Sequence, residues 1–156
     1  MTEPSIDSLL EELKNPDENI RKWATTELWR IWFNQKGKYG IELIERSQIM
    51  FEVGETTQAE ALLTQLIQEH PDFAEAWNRR GVLYYMLGEY KKSKNDCEQV
   101  IKLNPVHFGA LHGLGLCHAA LGNYRAAIQS FQKALEIQPY AVANQRLILE
   151  CTARLS

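Results

Sequence analysis

Moved along itself by 34 residues, this 156-residue sequence falls into register. Pro71, Pro105 and Pro139 coincide, as do Gly54, Gly88 and Gly122. Small residues coincide at Ser47, Gly81 and Gly115, and again at Ala59, Ser93 and Ala127. Such a period constrains the fold more than composition does. One unit is a single supersecondary element that cannot bury its apolar face alone, so the copies must stack. Three units result: 40–73, 74–107 and 108–141.

Each unit reads as two helices. The first fills repeat positions 1–14, and the glycine at position 15 stops it in the manner of a left-handed cap. The second runs from about position 17 to 30 and ends before the proline at position 32. Inside the first helix, Gly81 costs about 1 kcal/mol relative to alanine. Its position explains the expense. At about 100° per residue, positions 4, 8 and 11 form one stripe: Trp77, Gly81 and Tyr84, then Leu111, Gly115 and His118. A small residue between two large ones lets the second helix approach closely, with Ser93 or Ala127 opposite.

These residues resemble the tetratricopeptide repeat (TPR) family, whose pattern is W-x2-L-G-x2-Y, then A-x3-F, then P. The second unit offers Trp77-x2-Arg80-Gly81-x2-Tyr84, Ser93-x3-Cys97 and Pro105. The third offers Leu111-x2-Leu114-Gly115-x2-His118, Ala127-x3-Phe131, Ala134 and Pro139. The first is looser, with Leu43, Ser47, Met50, Ala59-x3-Leu63 and Pro71. Arg80 stands where the family has Leu, Cys97 where it has an aromatic, and His118 where it has Tyr. The resemblance implies an all-α, right-handed α-α superhelix, a solenoid of three TPRs.

Residues 1–39 fall outside the repeat phase. A short helix is expected from about Ser5 to Lys14. Asn15-Pro16-Asp17-Glu18 then reads as a helix start with Asn15 as N-cap and Pro16 at the first helical position. A second helix follows to about Gln35. The string Leu13-x-Asn15-Pro16-Asp17-x2-Ile20-Arg21-x2-Ala24-x3-Leu28 resembles a single HEAT-type repeat. Trp23, Trp29, Trp32 and Phe33 crowd this segment. Trp29, Trp32 and Phe33 share a helical face and are expected to bury against the first TPR; the alternative is a partner-binding hot spot. Residues 142–156 read as a capping helix with apolar positions at Val142, Leu147, Leu149, Cys151 and Leu155.

A net charge of −3 gives no reason to expect a nucleic-acid partner. No apolar run suits a transmembrane segment, and no signal peptide is read at the start. Cys97, Cys117 and Cys151, odd in number and far apart, suit reduced thiols and a cytoplasmic protein. No enzyme is expected. Gly113-Leu114-Gly115 lacks the third glycine of a phosphate loop and lies within a helix. His107, His112, Cys117 and His118 lack the spacing that brings metal ligands to one helical face. Neither metal nor cofactor is anticipated.

A second stripe, at positions 2, 5, 9 and 12, lies roughly 110° from the first. It reads Ile41, Ile44, Gln48 and Phe51; then Glu75, Asn78, Val82 and Tyr85; then Gly109, His112, Leu116 and Ala119. Arg79 and Met86 border it. The TPR resemblance implies that this stripe lines the concave face of the superhelix. It is unusually apolar for an exposed surface, which marks an interaction site. The expected function is a non-enzymatic adaptor, co-chaperone or assembly factor binding a peptide or helical segment of a protein. Self-association through the Trp-rich N-terminus, or an edge of the superhelix, into a homodimer is the alternative. Some family members grip a C-terminal carboxylate with a basic clamp. Ile44, Gln48, Arg79, Gly109 and Gly113 stand at those positions here, so that partner is not expected.

Overall fold

Three glycines set the rhythm of the chain. Gly54, Gly88 and Gly122 have φ of 88°, 77° and 81°, the left-handed conformation that other residues resist. Each follows the C-cap residue of a helix and turns the chain back. The computed structural model, which describes residues 3–155, contains the expected helical pairs. They are α3 (Gly37–Glu52) with α4 (Thr56–Glu69), α5 (Ala74–Met86) with α6 (Tyr90–Leu103), and α7 (Phe108–Ala120) with α8 (Tyr124–Ile137). Each pair packs on the next, and α9 (Val142–Leu155) packs on α8. There is no strand among the described residues. No helix among them is long and apolar enough to cross a membrane.

The small residues meet their partner helices as the repeat requires. Ser93 Oγ, on α6, donates to the Gly81 carbonyl of α5 at 2.7 Å. A Cβ added at Gly115 would lie 2.5 Å from the ring of Phe131, inside contact distance. Arg80, the departure from Leu, also ties helices together. Its Nε and Nη2 donate to the two carboxylate oxygens of buried Asp96 at 2.9 and 2.8 Å, and its Nη1 reaches Thr64 on α4 at 3.2 Å. A bidentate pair of this kind satisfies the buried carboxylate.

The N-terminal pair departs from expectation in two ways. It consists of α1 (Ile6–Glu12) and α2 (Glu18–Phe33). First, the N-cap of α2 is Asp17, whose Oδ1 accepts from Asn19 N at 2.9 Å, and Asn15 instead accepts from Asp17 N at 2.8 Å. Two side chains compete for the turn. Arg21 decides it by donating to the carbonyls of Asn15 and Pro16, which holds both outside the helix.

Second, Trp29 and Trp32 do not bury against the first TPR. Trp32 stacks on His107 at 4.6 Å between ring centroids, and Trp29 meets Phe108 edge-on at 5.5 Å. Only Phe33 joins the core of the first repeat. At its other end, α2 sets Arg21 4.0 Å over the ring of Tyr140. The helix therefore runs back across the stack, from the end of the third repeat to the first. Leu9, Leu13, Ala24 and Leu28 form its own core, joined by Phe108. The reason is steric. Gly109 leaves α7 bare just where the Trp29 ring lies: an added Cβ would be 2.7 Å from it.

The apolar positions expected of α9 also need correction. Val142, Leu149 and Leu155 are exposed. The buried face is Asn144, Leu147, Ile148 and Cys151, an i, i+3, i+4, i+7 stripe. Asn144 is polar yet 4% exposed. It accepts from His112 Nδ1 at 2.6 Å and so fastens α9 to α7.

Candidate peptide-binding groove

Helices α3, α5 and α7 line the inner face of the stack, and two neighbouring hollows open between them. One, of about 150 Å³, lies between α3 and α5 among Gln48, Phe51, Arg79, Val82 and Met86, over Ser47, Ala59, Leu63 and Leu83. The other, of about 170 Å³, lies between α5 and α7 among Asn78, Val82, Tyr85, His112 and Leu116, over Gly81, Cys97 and Gly113. Val82 forms the wall they share. It is 48% exposed, and Met86, the last residue of α5, is 63% exposed, on the helix face where Glu75 and Asn78 are buried.

The structure thus brings together nine of the residues expected from the sequence: Gln48, Phe51, Asn78, Arg79, Val82, Tyr85, Met86, His112 and Leu116. Three do not join them. Ile44 is buried in the core of the first repeat, beneath the surface rather than on it. Ile41 is half-buried and lines neither hollow. Glu75 is fully buried under α2. Its Oε1 accepts from His107 Nε2 at 2.5 Å. The other nitrogen of that ring, Nδ1, accepts from Ala110 N at 3.0 Å, so the proton sits on Nε2.

Helix α2 therefore divides the inner face. Toward the N-terminal ends of α5 and α7, His107 and Glu75 lie sealed beneath Trp29 and Trp32. Toward the C-terminal ends, the apolar surface stays open. Arg79 stands at the border. Its guanidinium lies 4.6 Å over the ring of Phe33, and its Nε is 3.9 Å from Glu75 Oε2. That Nε is buried with no hydrogen-bond partner among the described residues. Burial pushes the Tyr85 phenol above its ordinary range, so the ring meets the hollow neutral.

Sequence reasoning missed the floor. Leu63, Leu83, Cys97 and Gly113 lie off the stripe at repeat positions 2, 5, 9 and 12. One signal was available at Cys97: a small thiol in a slot where the TPR pattern has an aromatic. Contact with Cys117 and burial push the Cys97 thiol up, so it stays protonated and adds no charge to the floor.

One model of tetratricopeptide repeats matches residues 74–107 and 109–140, and a second matches 43–72. The chain belongs to the tetratricopeptide repeat family. The TPR chain is 30% identical over 135 residues to a TPR repeat-containing protein of Rhizobium etli, covering 86% of this chain and 66% of that one. It is 32% identical over 97 residues to anaphase-promoting complex subunit 3 of Schizosaccharomyces pombe, covering 62% of this chain and 14% of that one. Among solved structures it resembles the first TPR of Spaghetti (RPAP3) bound to HSP90 peptide SRMEEVD. The TM-score is 0.70 at 20% identity, over 74% of this chain and 91% of that one. A structure of MamA matches 94% of this chain and 74% of its own, with a TM-score of 0.66 at 20% identity. These likenesses carry the TPR fold. The N-terminal pair lies outside the matched repeats.

Proposed function

We propose that this TPR chain is a non-enzymatic interaction module, an adaptor or assembly factor that captures a protein segment in the open half of its inner face. One observation carries the reading: Val82 stands exposed between two apolar hollows on adjoining helices. A solvent-facing monomer surface has no use for such a strip, whereas a segment laid across α5 could seat one side chain on each side of Val82. The fold supports the class of ligand. The first TPR of Spaghetti is seen bound to an HSP90 peptide. The chemistry here argues for a different segment. At the positions of the basic clamp, Ile44 is buried and Gly109 lies against Trp29. Apolar contact would dominate, with Gln48 and Asn78 offering amides for orientation.

Selection from a displayed library of random peptides tests this. Peptides recovered on the wild-type chain should lose at least tenfold in affinity toward Val82→Glu, with circular dichroism unchanged. Equal affinity for both proteins would remove the groove from the mechanism.

A further inference from the structure

The three repeats fill the same slot differently. At repeat position 24, the side chain of the second helix points back at the small residue in position 8 of the first. In the third repeat this is Phe131, fully buried, with its ring against Gly115 and 5.7 Å from the ring of His112. In the first repeat it is Leu63, 3% exposed. In the second it is Cys97. A Cβ added at Gly81 would find Cys97 Sγ at 3.7 Å and no ring among its three nearest atoms.

Protein interiors are close-packed, and a missing ring normally leaves a void or draws its neighbours in. Here the void stays. It is the hollow of about 170 Å³ between α5 and α7, and it opens onto the inner face. Three glycines on two helices, Gly81, Gly109 and Gly113, border it. A Cβ at Gly113 would already press to 3.3 Å from Cys97 Sγ. The size is informative. A dry apolar cavity of about 150 Å³ is large enough to bind benzene.

We propose that this hollow is a specificity pocket for one aromatic side chain of the captured segment. That ring enters from outside and takes the place that Phe131 fills from inside in the next repeat. The inference rests on the groove reading above and adds to it the kind of residue the segment must carry.

Toluene, the side chain of phenylalanine without its backbone, is the direct probe. Titrated into the full chain, it should shift the amide resonances of Gly81, Cys97 and Gly113. Cys97→Phe, which restores the ring, should weaken toluene binding at least tenfold and raise Tm. Cys97→Leu, the residue type of the first repeat, should fall between and serves if the phenylalanine variant fails to fold. Shifts confined to other residues, or equal toluene affinity in wild type and Cys97→Phe, would overturn the pocket.

Peptide selection separates the two ideas. Recovered peptides enriched in one aromatic position, and bound at least tenfold more weakly by Cys97→Phe, support both. Peptides that bind without any aromatic preference overturn the pocket and leave the groove. Toluene bound with no peptide recovered overturns the groove, and with it the assignment of the pocket to a captured segment.

Discussion

Glu75 and Met86 lie on one helix and on one side of the stack, yet one is fully buried and the other is 63% exposed. The difference is helix α2. At the Glu75 end, Trp29 and Trp32 cover the inner face and seal the His107–Glu75 hydrogen bond beneath them. At the Met86 end nothing among the described residues covers it. The same repeat positions therefore serve two purposes. Where a chain segment lies across the stack, the inner face is core. Where none does, it is a surface with the composition of a core. A TPR array does not dictate which part of its concave side is free; the flanking helices do.

The largest expected effect tests the closed half. Trp32→Ala removes a stacked, 6% exposed indole from between α2 and α7. Loss of about 3–5 kcal/mol is expected for truncating a buried aromatic, read as a lower midpoint in urea unfolding. If α2 were a loosely attached strap, the midpoint would hardly move. Next comes Glu75→Ala. It leaves the Nε2–H of His107 buried without its acceptor, and Arg79 without its carboxylate. Leaving a buried donor without its partner costs about 1–3 kcal/mol. Glu75→Gln keeps an acceptor at the same place and should lose less. Equal losses from the two variants would mean that the carboxylate charge, and not its shape or its acceptor oxygen, supports the contact.

In the open half the ranking reverses. Val82→Glu substitutes a residue that touches solvent over half its surface, so stability should stay within about 0.5 kcal/mol while peptide affinity falls. A drop in stability as large as that of Trp32→Ala would show that Val82 belongs to the core after all.

The repeat units were readable because their signals are local and periodic. Gly54, Gly88 and Gly122 announce helix ends by conformation, and Gly81 and Gly115 announce helix crossings by size. The course of α2 was not readable. Its Trp29 and Trp32 show a buried face, but nothing within the helix names the surface that buries it. The answer lay far along the chain, in His107 as the N-cap of α7 and in the bareness of Gly109. The groove residues were legible as a stripe, but burial by α2 separates Glu75 from Val82, and no pattern within α5 distinguishes them. Asn144 falls outside the apolar pattern for a related reason: it is polar, and its partner His112 lies on another helix, α7.

The smallest expected effect concerns the slot that holds Tyr in the family and His118 here. In the second repeat Tyr84 fills it and donates to Glu60 at 2.7 Å. His118 has no such satisfaction, since its Nδ1 is buried without a hydrogen-bond partner among the described residues. Burial first, and then Lys94, hold its pKa below the ordinary 6.5, with Glu98 opposing. The folded chain therefore prefers the neutral ring. Above pH 6.5 neither state gains a proton at this residue and it costs nothing. Below pH 6.5 the unfolded chain takes up the proton first, so stability falls as pH drops toward the lower folded value. His118→Tyr removes this dependence. The stability difference between variant and wild type, measured by urea unfolding, should be constant above pH 7 and widen in the variant's favour between about pH 6.5 and 5. Subtracting the two curves cancels the other histidines. A difference that stays flat across that range would mean that the protonated ring is accommodated, through Glu98, as well as the neutral one.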